Sequence, residues 1–300
     1  MPIYSSKNKV LLEVAEKSFK LEREIQSLFE LNLKKIMGLT LIKSEFSIRG
    51  RRIDTLAFDD EASAFVIVEY KRDRNLSVVD QGFTYLSLML ENKADFIIEF
   101  NERMKRALKR DDVDWSQSRV AFVSTGFTSN QIQATNFKDI AIELWEVKQF
   151  ENETVLITPI KKTKSAESIK PLAQKNKELE KITDEIVVYT EEAHLSKVDE
   201  EISELYEKFK AAILNLNESI EVVPKKMYVA FKLGKNIVDI EVQKKSLKIY
   251  VNAKAGTLND AKGVMRDVSK VGHYGNGDYQ VQVQNDSELE YIMSLIKQVL

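Results

Sequence analysis

Arg51-Arg52-Ile53-Asp54-Thr55-Leu56-Ala57-Phe58 and, after a turn over Asp59–Ala64, Phe65-Val66-Ile67-Val68-Glu69-Tyr70-Lys71 decide how the first half of this chain is read. Both runs are apolar with β-branched and aromatic residues, and turn formers separate them, which predicts an antiparallel hairpin. The second run is apolar on both alternating faces as far as Glu69, as expected of a central strand covered on two sides. Antiparallel pairing keeps the sum of paired positions constant, so setting Phe58 against Phe65 places Ile67 opposite Leu56 and Glu69 opposite Asp54. Lys71, two residues beyond Glu69, projects from the same face. Two facing carboxylates repel each other, and either a cation between them or a raised pKa on one relieves the repulsion. Two acids and an ammonium at the end of a buried strand are costly as a purely structural arrangement.

Hard oxygen donors of this kind suit magnesium or manganese, which use one or two carboxylates and keep waters that a phosphate can displace. The chemistry expected of the set is phosphodiester hydrolysis. A bound cation would polarise the phosphate and acidify a water, while Lys71 would steady that water and offset developing charge. A second cation would need a further acid, for which Glu24 on the preceding helix is a candidate.

Outward from the hairpin, Leu21, Ile25, Leu28, Phe29, Leu33 and Ile36 recur at three- and four-residue steps, predicting an amphipathic helix within Phe19–Met37 that Gly38 ends. Leu41–Ile48 and Arg52–Phe58 read as strands joined by a turn at Arg49-Gly50-Arg51. Ser77 is placed as the cap of a helix from Val78 to about Asn92, with Asp80 favouring its N-terminus. Then follow a buried strand over Asp95–Phe100, a basic helix near Met104–Arg110, a strand Arg119–Ser124, a Ser129-capped helix to Phe137, and strands Ile140–Val147 and Thr154–Ile160. The alternation predicts an α/β domain over residues 1–160.

Between 161 and 186 the composition turns to Lys, Ser, Glu and Gln around Pro171, which reads as a linker. A smaller α+β domain is expected over 187–300, serving recognition or assembly. Its predicted parts are a helix Ser196–Leu216, strands at Met227–Leu233, Ile237–Val242 and Leu247–Val251, a helix from Leu258, a strand Tyr279–Gln284 and a closing helix from Ser287.

Gly50-Arg51-Arg52-Ile53-Asp54, then Glu69-Tyr70-Lys71, then Gln81 with Tyr85 four residues on, resembles the PD-(D/E)XK nuclease superfamily, and more narrowly its RecB-like and NucS-like branches. The resemblance spans Phe19 to Ile160 and implies a restriction-endonuclease-like core, a mixed central sheet flanked by helices. It implies that Asp54 and Glu69 bind metal and that Lys71 assists catalysis. Gln81 and Tyr85 fall near the metal and the DNA backbone, and an acid of the first helix joins the site, Glu24 best and Glu30 next. The residue before Asp54 is Ile53, where the superfamily's name has proline, a departure common in these branches. The second domain, through Tyr189-Thr190-Glu191-Glu192-Ala193-His194-Leu195 and Pro224-Lys225-Lys226-Met227-Tyr228-Val229-Ala230-Phe231, resembles a family of small uncharacterised C-terminal domains and implies no chemistry.

Arg49, Arg51 and Arg52 at the hairpin entrance and Arg72 and Arg74 after the spine strand could line a phosphate-binding rim. Tyr85 shares a helix face with Gln81 and suits a core position as well as a DNA contact. Lys105, Arg106, Lys109 and Arg110 suit a helix C-terminus as readily as a DNA backbone. Gly272, Gly275 and Gly277 precede a strand and so read as a turn, unlike a phosphate loop, which opens a helix. His194 and His273 lie far in sequence from any acid cluster.

Composition sets outer limits. With 300 residues, 43% hydrophobic and 31% charged, the chain has material for two folded domains. It has no cysteine, which excludes disulfides, thiolate zinc sites and thiol redox chemistry. No apolar run approaches the ~20 residues of a membrane span, and the sequence opens without an apolar leader, so a cytoplasmic protein with no membrane partner is expected. A net charge of −2 neither announces nor forbids nucleic acid. The function expected is a magnesium- or manganese-dependent endonuclease acting on DNA in restriction, repair or phage defence, with a homodimer expected where both strands are cut. The competing readings are a nuclease fold that binds nucleic acid without cutting it, and a transport-associated interaction protein.

Overall fold

The computed structural model describes residues 2–72, 78–163, 165–174 and 176–300, and the chain forms two compact units, Met1–Val188 and Tyr189–Leu300. The first unit begins with a hairpin, β1 (Ile3–Lys7) and β2 (Val10–Val14), and a short strand β3 (Glu16–Lys17). Helix α1 (Glu22–Met37) follows, then strands β4 (Thr40–Ile48), β5 (Arg51–Asp59) and β6 (Ala64–Lys71), then helices α2 (Val78–Glu91) and α3 (Lys93–Met104). Strand β7 (Arg119–Ser124), helix α4 (Ser129–Thr135), strands β8 (Ile142–Phe150) and β9 (Val155–Ile160), and helices α5 (Lys170–Ala173) and α6 (Lys177–Glu185) complete it.

The main sheet runs β4-β5-β6-β7-β8, with β3 and β9 both paired to β8. β4, β5 and β6 are antiparallel, whereas β6, β7 and β8 are parallel, so the sheet is mixed and helix-flanked as expected. Strand β6 is its spine. Val66, Val68 and Tyr70 pack with Ile25, Phe29 and Leu33 of α1, while Phe65 and Ile67 join the opposite core with Leu86 and Met89 of α2 and Phe96 and Phe100 of α3. Glu69 belongs by alternation to the α2 face. The predicted register holds: Phe58 pairs with Phe65 and Leu56 with Ile67.

Helix α1 ends where expected, with Gly38 at φ 73 donating its N–H to the Lys34 carbonyl. This left-handed C-cap is open to glycine at little steric cost. The cap assigned to Ser129 belongs instead to Thr128. Its hydroxyl accepts Gln131 N–H while Gln131 Oε1 accepts Thr128 N–H, a reciprocal capping box, and the helix stops at Thr135 rather than Phe137. The cap placed on Ser77 and the rim residue Arg74 lie outside the described residues.

Three further expectations fail in the first unit. Asp95–Phe100 is helical, within α3: Phe96 and Phe100, four apart, share one buried face against Phe46, Phe58 and Phe65, while Ile98 is exposed. A short apolar run does not separate strand from helix by itself. The basic helix near Met104–Arg110 is absent, because α3 ends at Met104 with Lys105 left-handed at φ 51, and Arg106 turns back to Asp60 and the Phe100 ring. The linker at 161–186 is folded into the first unit. Ile169, Ile182 and Ile186 are buried in the α2/α3-side core, and Lys170, Lys177, Glu180, Lys181 and Glu185 lie on the short helices α5 and α6.

The second unit contains α7 (Glu191–Leu195), α8 (Glu200–Leu214), β10 (Glu221–Pro224), β11 (Val229–Leu233), β12 (Lys235–Gln243), β13 (Ser246–Val251), β14 (Arg266–Asp267), β15 (Tyr279–Val283) and α9 (Leu289–Ile296). Its sheet runs β10-β11-β12-β13-β15-β14, antiparallel throughout. Tyr206 and Phe209 of α8 and Ile292 and Ile296 of α9 share its core with Phe231, Ile240 and Ile249. The helix expected from Leu258 is a loop, in which Asp260 accepts Met265 N–H and Tyr279 Oη accepts Gly256 N–H. Those local partners satisfy backbone groups that a helix would otherwise pair. Among the described residues no helix is long and apolar enough to cross a membrane.

Candidate active site

The β5–β6 ladder stops at Thr55↔Val68, and the site lies just beyond it. On the other side of β5, Ser44 pairs with Thr55 and Phe46 with Ile53, leaving Glu45 and Asp54 between them; Glu45 has φ 54. The irregularity breaks strict alternation, since Ile53 and Leu56, three apart, enter the same core cluster. There the Asp54 carboxylate turns to β6, and its Oδ2 accepts the Tyr70 N–H at 3.0 Å.

Glu69 is 3% exposed. Its Oε1 accepts Lys71 Nζ at 2.8 Å and Gln81 Nε2 at 3.1 Å. Its Oε2 is buried and has no hydrogen-bond partner among the described residues. A buried carboxylate oxygen without a donor is costly and needs an explanation. Asp54 carries the mark of the same crowding: burial first, then the Glu69 charge, raise its pKa from the ordinary 3.8 to about 6, against the opposing pull of Tyr70 N–H and Lys71. Glu45 adds to the rise.

Helix α2 supplies the second layer. Gln81 Nε2 also donates to Tyr85 Oη at 3.1 Å, and Tyr85 Oη donates to the Arg52 carbonyl at 3.3 Å. Burial, followed by the Glu69 charge, pushes the Tyr85 phenol up, so it stays protonated and able to donate. Tyr85 is 5% exposed, so it braces Gln81 and β5 from within the core.

Asp54, Glu69, Lys71, Gln81 and Tyr85 are thus brought together, and Glu24 is not. Its side chain is exposed and accepts the Lys20 N–H at 2.8 Å, closing the start of α1. The α1 acid bonded to the core of the site is Glu30, which accepts Thr55 Oγ1 and, at 3.1 Å, Gln26 Nε2. Gln26 Nε2 also reaches the Asp54 carbonyl at 3.0 Å and Ser44 Oγ at 3.2 Å. Sequence reasoning missed Gln26, although a glutamine between Ile25 and Phe29, four before Glu30, was the available signal. Glu22, also missed, accepts the Arg72 N–H at 3.0 Å next to Lys71.

Of the expected rim, Arg51 and Arg52 are exposed at the β4–β5 hairpin, with Arg52 Nε 2.8 Å from Glu45 Oε2. Arg72 is tied down, its guanidinium donating to the Lys20 carbonyl at 2.9 Å. Among the described residues no group of three or more His, Cys, Asp or Glu side chains is gathered as a metal cage. Asp54 and Glu69 could hold a cation that takes one or two carboxylates and fills its other positions with water or phosphate oxygens. Glu69 Oε2, buried with no hydrogen-bond partner among the described residues, is the observation behind that fit.

Fold and site define a two-unit protein whose mixed α/β first unit carries a carboxylate pair, the buried Glu69 and the half-buried Asp54, with an adjoining lysine. The chain belongs to the family of a Haemophilus influenzae protein described as "Uncharacterized protein", with 54% identity over 300 residues, covering 100% of this chain and 99% of that one. Residues 191–298 match the family described as "Domain of unknown function (DUF5655)". Among solved structures, a repair endonuclease from Pyrococcus abyssi is similar over 44% of this chain and 49% of that one, with 20% identity and a TM-score of 0.26. The EndoMS–dsDNA complex is similar over 44% of this chain and 49% of that one, with 17% identity and a TM-score of 0.25. The chain spans about half the length of each of those two chains.

Proposed function

We propose that the first unit is a magnesium- or manganese-dependent nuclease centre that hydrolyses DNA phosphodiester bonds, and that the second unit serves recognition or assembly. The observation that carries the reading is Glu69: a buried carboxylate with one oxygen held by Lys71 and Gln81 and the other without a partner among the described residues, beside Asp54. The order Asp54, Glu69-Tyr70-Lys71, Gln81 and Tyr85 resembles the PD-(D/E)XK pattern and supports the same reading. In this reading Asp54 and Glu69 hold the cation, which when bound would polarise the scissile phosphate and lower the pKa of a water.

The chain's own groups do the rest. Lys71 and Gln81 fix the Glu69 rotamer through Oε1, leaving Oε2 directed to the cation site. Lys71 brings a positive charge to within a hydrogen bond of the carboxylate pair, where it offsets negative charge gathering on phosphate oxygens. Tyr85 holds Gln81, and Tyr70 N–H holds Asp54, so both acids are oriented before substrate arrives. Arg51 and Arg52 offer exposed cations for the flanking phosphates.

The test uses the full-length protein with supercoiled, linear and single-stranded DNA, with and without Mn²⁺, beside Glu69→Ala and Lys71→Ala. Metal-dependent cleavage lost in both variants is expected. Cleavage that both substitutions leave unchanged overturns the assignment.

A further inference from the structure

Hairpin β1–β2 is a two-stranded sheet of its own, paired to no other strand among the described residues. Its turn is tight, with Asn8 and Lys9 both left-handed at φ 53 and 63. Apolar side chains nonetheless stand in the open: Val10 is 59% exposed, Leu11 64%, Leu12 54% and Tyr4 48%. A lone two-stranded ribbon is marginal in water, and an exposed apolar edge is a template for another strand.

We propose that β2 pairs with β2 of a second copy of this chain, antiparallel about a two-fold axis at Leu12, giving a four-stranded sheet β1-β2-β2-β1. Isologous pairing requires a strand that complements itself reversed. Val10-Leu11-Leu12-Glu13-Val14 does so on the face of Val10, Leu12 and Val14, while on the other face Leu11 stands opposite the partner's Glu13. Leu12 meets the partner's Leu12, and Val10 meets the partner's Val14. These residues, with Ile3, which is cross-strand from Val14, make an apolar strip along the two β2 strands, bordered on β1 by Ser5 and Lys7, cross-strand from Leu12 and Val10. Charge agrees with the register. Lys9 at the turn comes within diagonal reach of the partner's Glu13, twice by symmetry.

The alternative edge lacks this match. Pairing β1 about Ser5 would set Ile3 against the partner's Lys7 and leave serine at the centre, with no carboxylate on either strand. The choice of β2 therefore follows from side-chain pattern as well as exposure, and it is independent of the nuclease reading.

The test measures the full chain by sedimentation velocity over a concentration series. The wild type is expected to dimerise. Leu12→Ser is expected to raise the dimer dissociation constant about tenfold or more, with an unchanged thermal midpoint at low concentration. Lys9→Glu is expected to weaken the dimer, and adding Glu13→Lys in the same chain to restore it, because the diagonal pair is then inverted. The chain has no cysteine, so Leu12→Cys gives a clean readout: mild oxidation should link two copies, whereas Ser5→Cys should not. A chain that stays monomeric throughout overturns the proposal. So does a dimer indifferent to Leu12→Ser, or one that cross-links through position 5.

Discussion

Asp54→Asn isolates the electrostatic cost of the carboxylate pair. The raised pKa of Asp54, about 6 against an ordinary 3.8, means that the folded state holds a proton there that the unfolded chain releases earlier. The sign follows by linkage. Between these two values the folded state binds more protons than the unfolded one, so stability falls as pH rises, and the penalty is complete above the folded pKa. The gap corresponds to about 3 kcal/mol at most. The carboxyl is half-buried, and solvent screening reduces this to roughly 1–2 kcal/mol. Asparagine keeps an oxygen for Tyr70 N–H and removes the charge. In EDTA, the variant should therefore gain on the wild type by about 1 kcal/mol or more between about pH 4.5 and pH 8. Urea denaturation of both proteins across that range reads the difference, in which the other titrating groups largely cancel. A cation bound by the pair should reverse the order, since Mn²⁺ stabilises the wild type more than the variant. A difference that stays flat with pH, or that favours the wild type at high pH without metal, would refute the account of a crowded, partly desolvated pair.

Four further outcomes follow from the same contacts. Glu24→Gln should leave Mn²⁺ affinity unchanged by calorimetry, because its carboxylate caps Lys20 N–H away from the pair; a loss comparable to that of Glu69→Ala would return it to the site. Tyr85→Phe should cost about 1 kcal/mol in a urea titration through its lost bonds to Gln81 and the Arg52 carbonyl, with Mn²⁺ affinity retained. Gln81→Ala should weaken Mn²⁺ binding by freeing one donor from Glu69 Oε1, whereas an effect on stability alone would make Gln81 purely structural. Gly82→Ala should destabilise the first unit by about 1–3 kcal/mol, since an added Cβ would lie 2.5 Å from Ile142 Cδ1 and 3.4 Å from Phe122 Cε2.

Much of the candidate site was legible before any coordinates. Strand alternation and constant antiparallel register predicted that Phe58 meets Phe65, as it does; the same count set Asp54 opposite Glu69, but the ladder stops one pair short, at Thr55↔Val68, and the Asp54 carboxylate accepts the Tyr70 N–H. Lys71 followed from two-residue strand spacing, whereas Gln81 was expected only from the resemblance, in which the helix after the spine carries Q-x-x-x-Y. The strand inferences rest on short-range geometry, which residue order dictates directly. The acid of α1 did not follow, because Glu22, Glu24 and Glu30 all lie on one helix and their partners come from elsewhere in the chain. Lys20 N–H takes Glu24, Arg72 N–H takes Glu22, and Thr55 takes Glu30.

The sequence by itself determined the alternating strands, the helical stripe of α1 with its glycine stop, and the placement of acids and lysine along β5 and β6. Only the tertiary structure decided that Asp95–Phe100 coils to bury Phe96 and Phe100 together, that 161–188 packs into the first unit, and that Tyr85 lies inside. It also decided that the Asp54 carboxylate takes Tyr70 N–H while one oxygen of Glu69 is left without a donor among the described residues. Periodicity is a property of neighbouring residues, whereas burial and hydrogen-bond satisfaction belong to groups that meet only once the sheet is assembled.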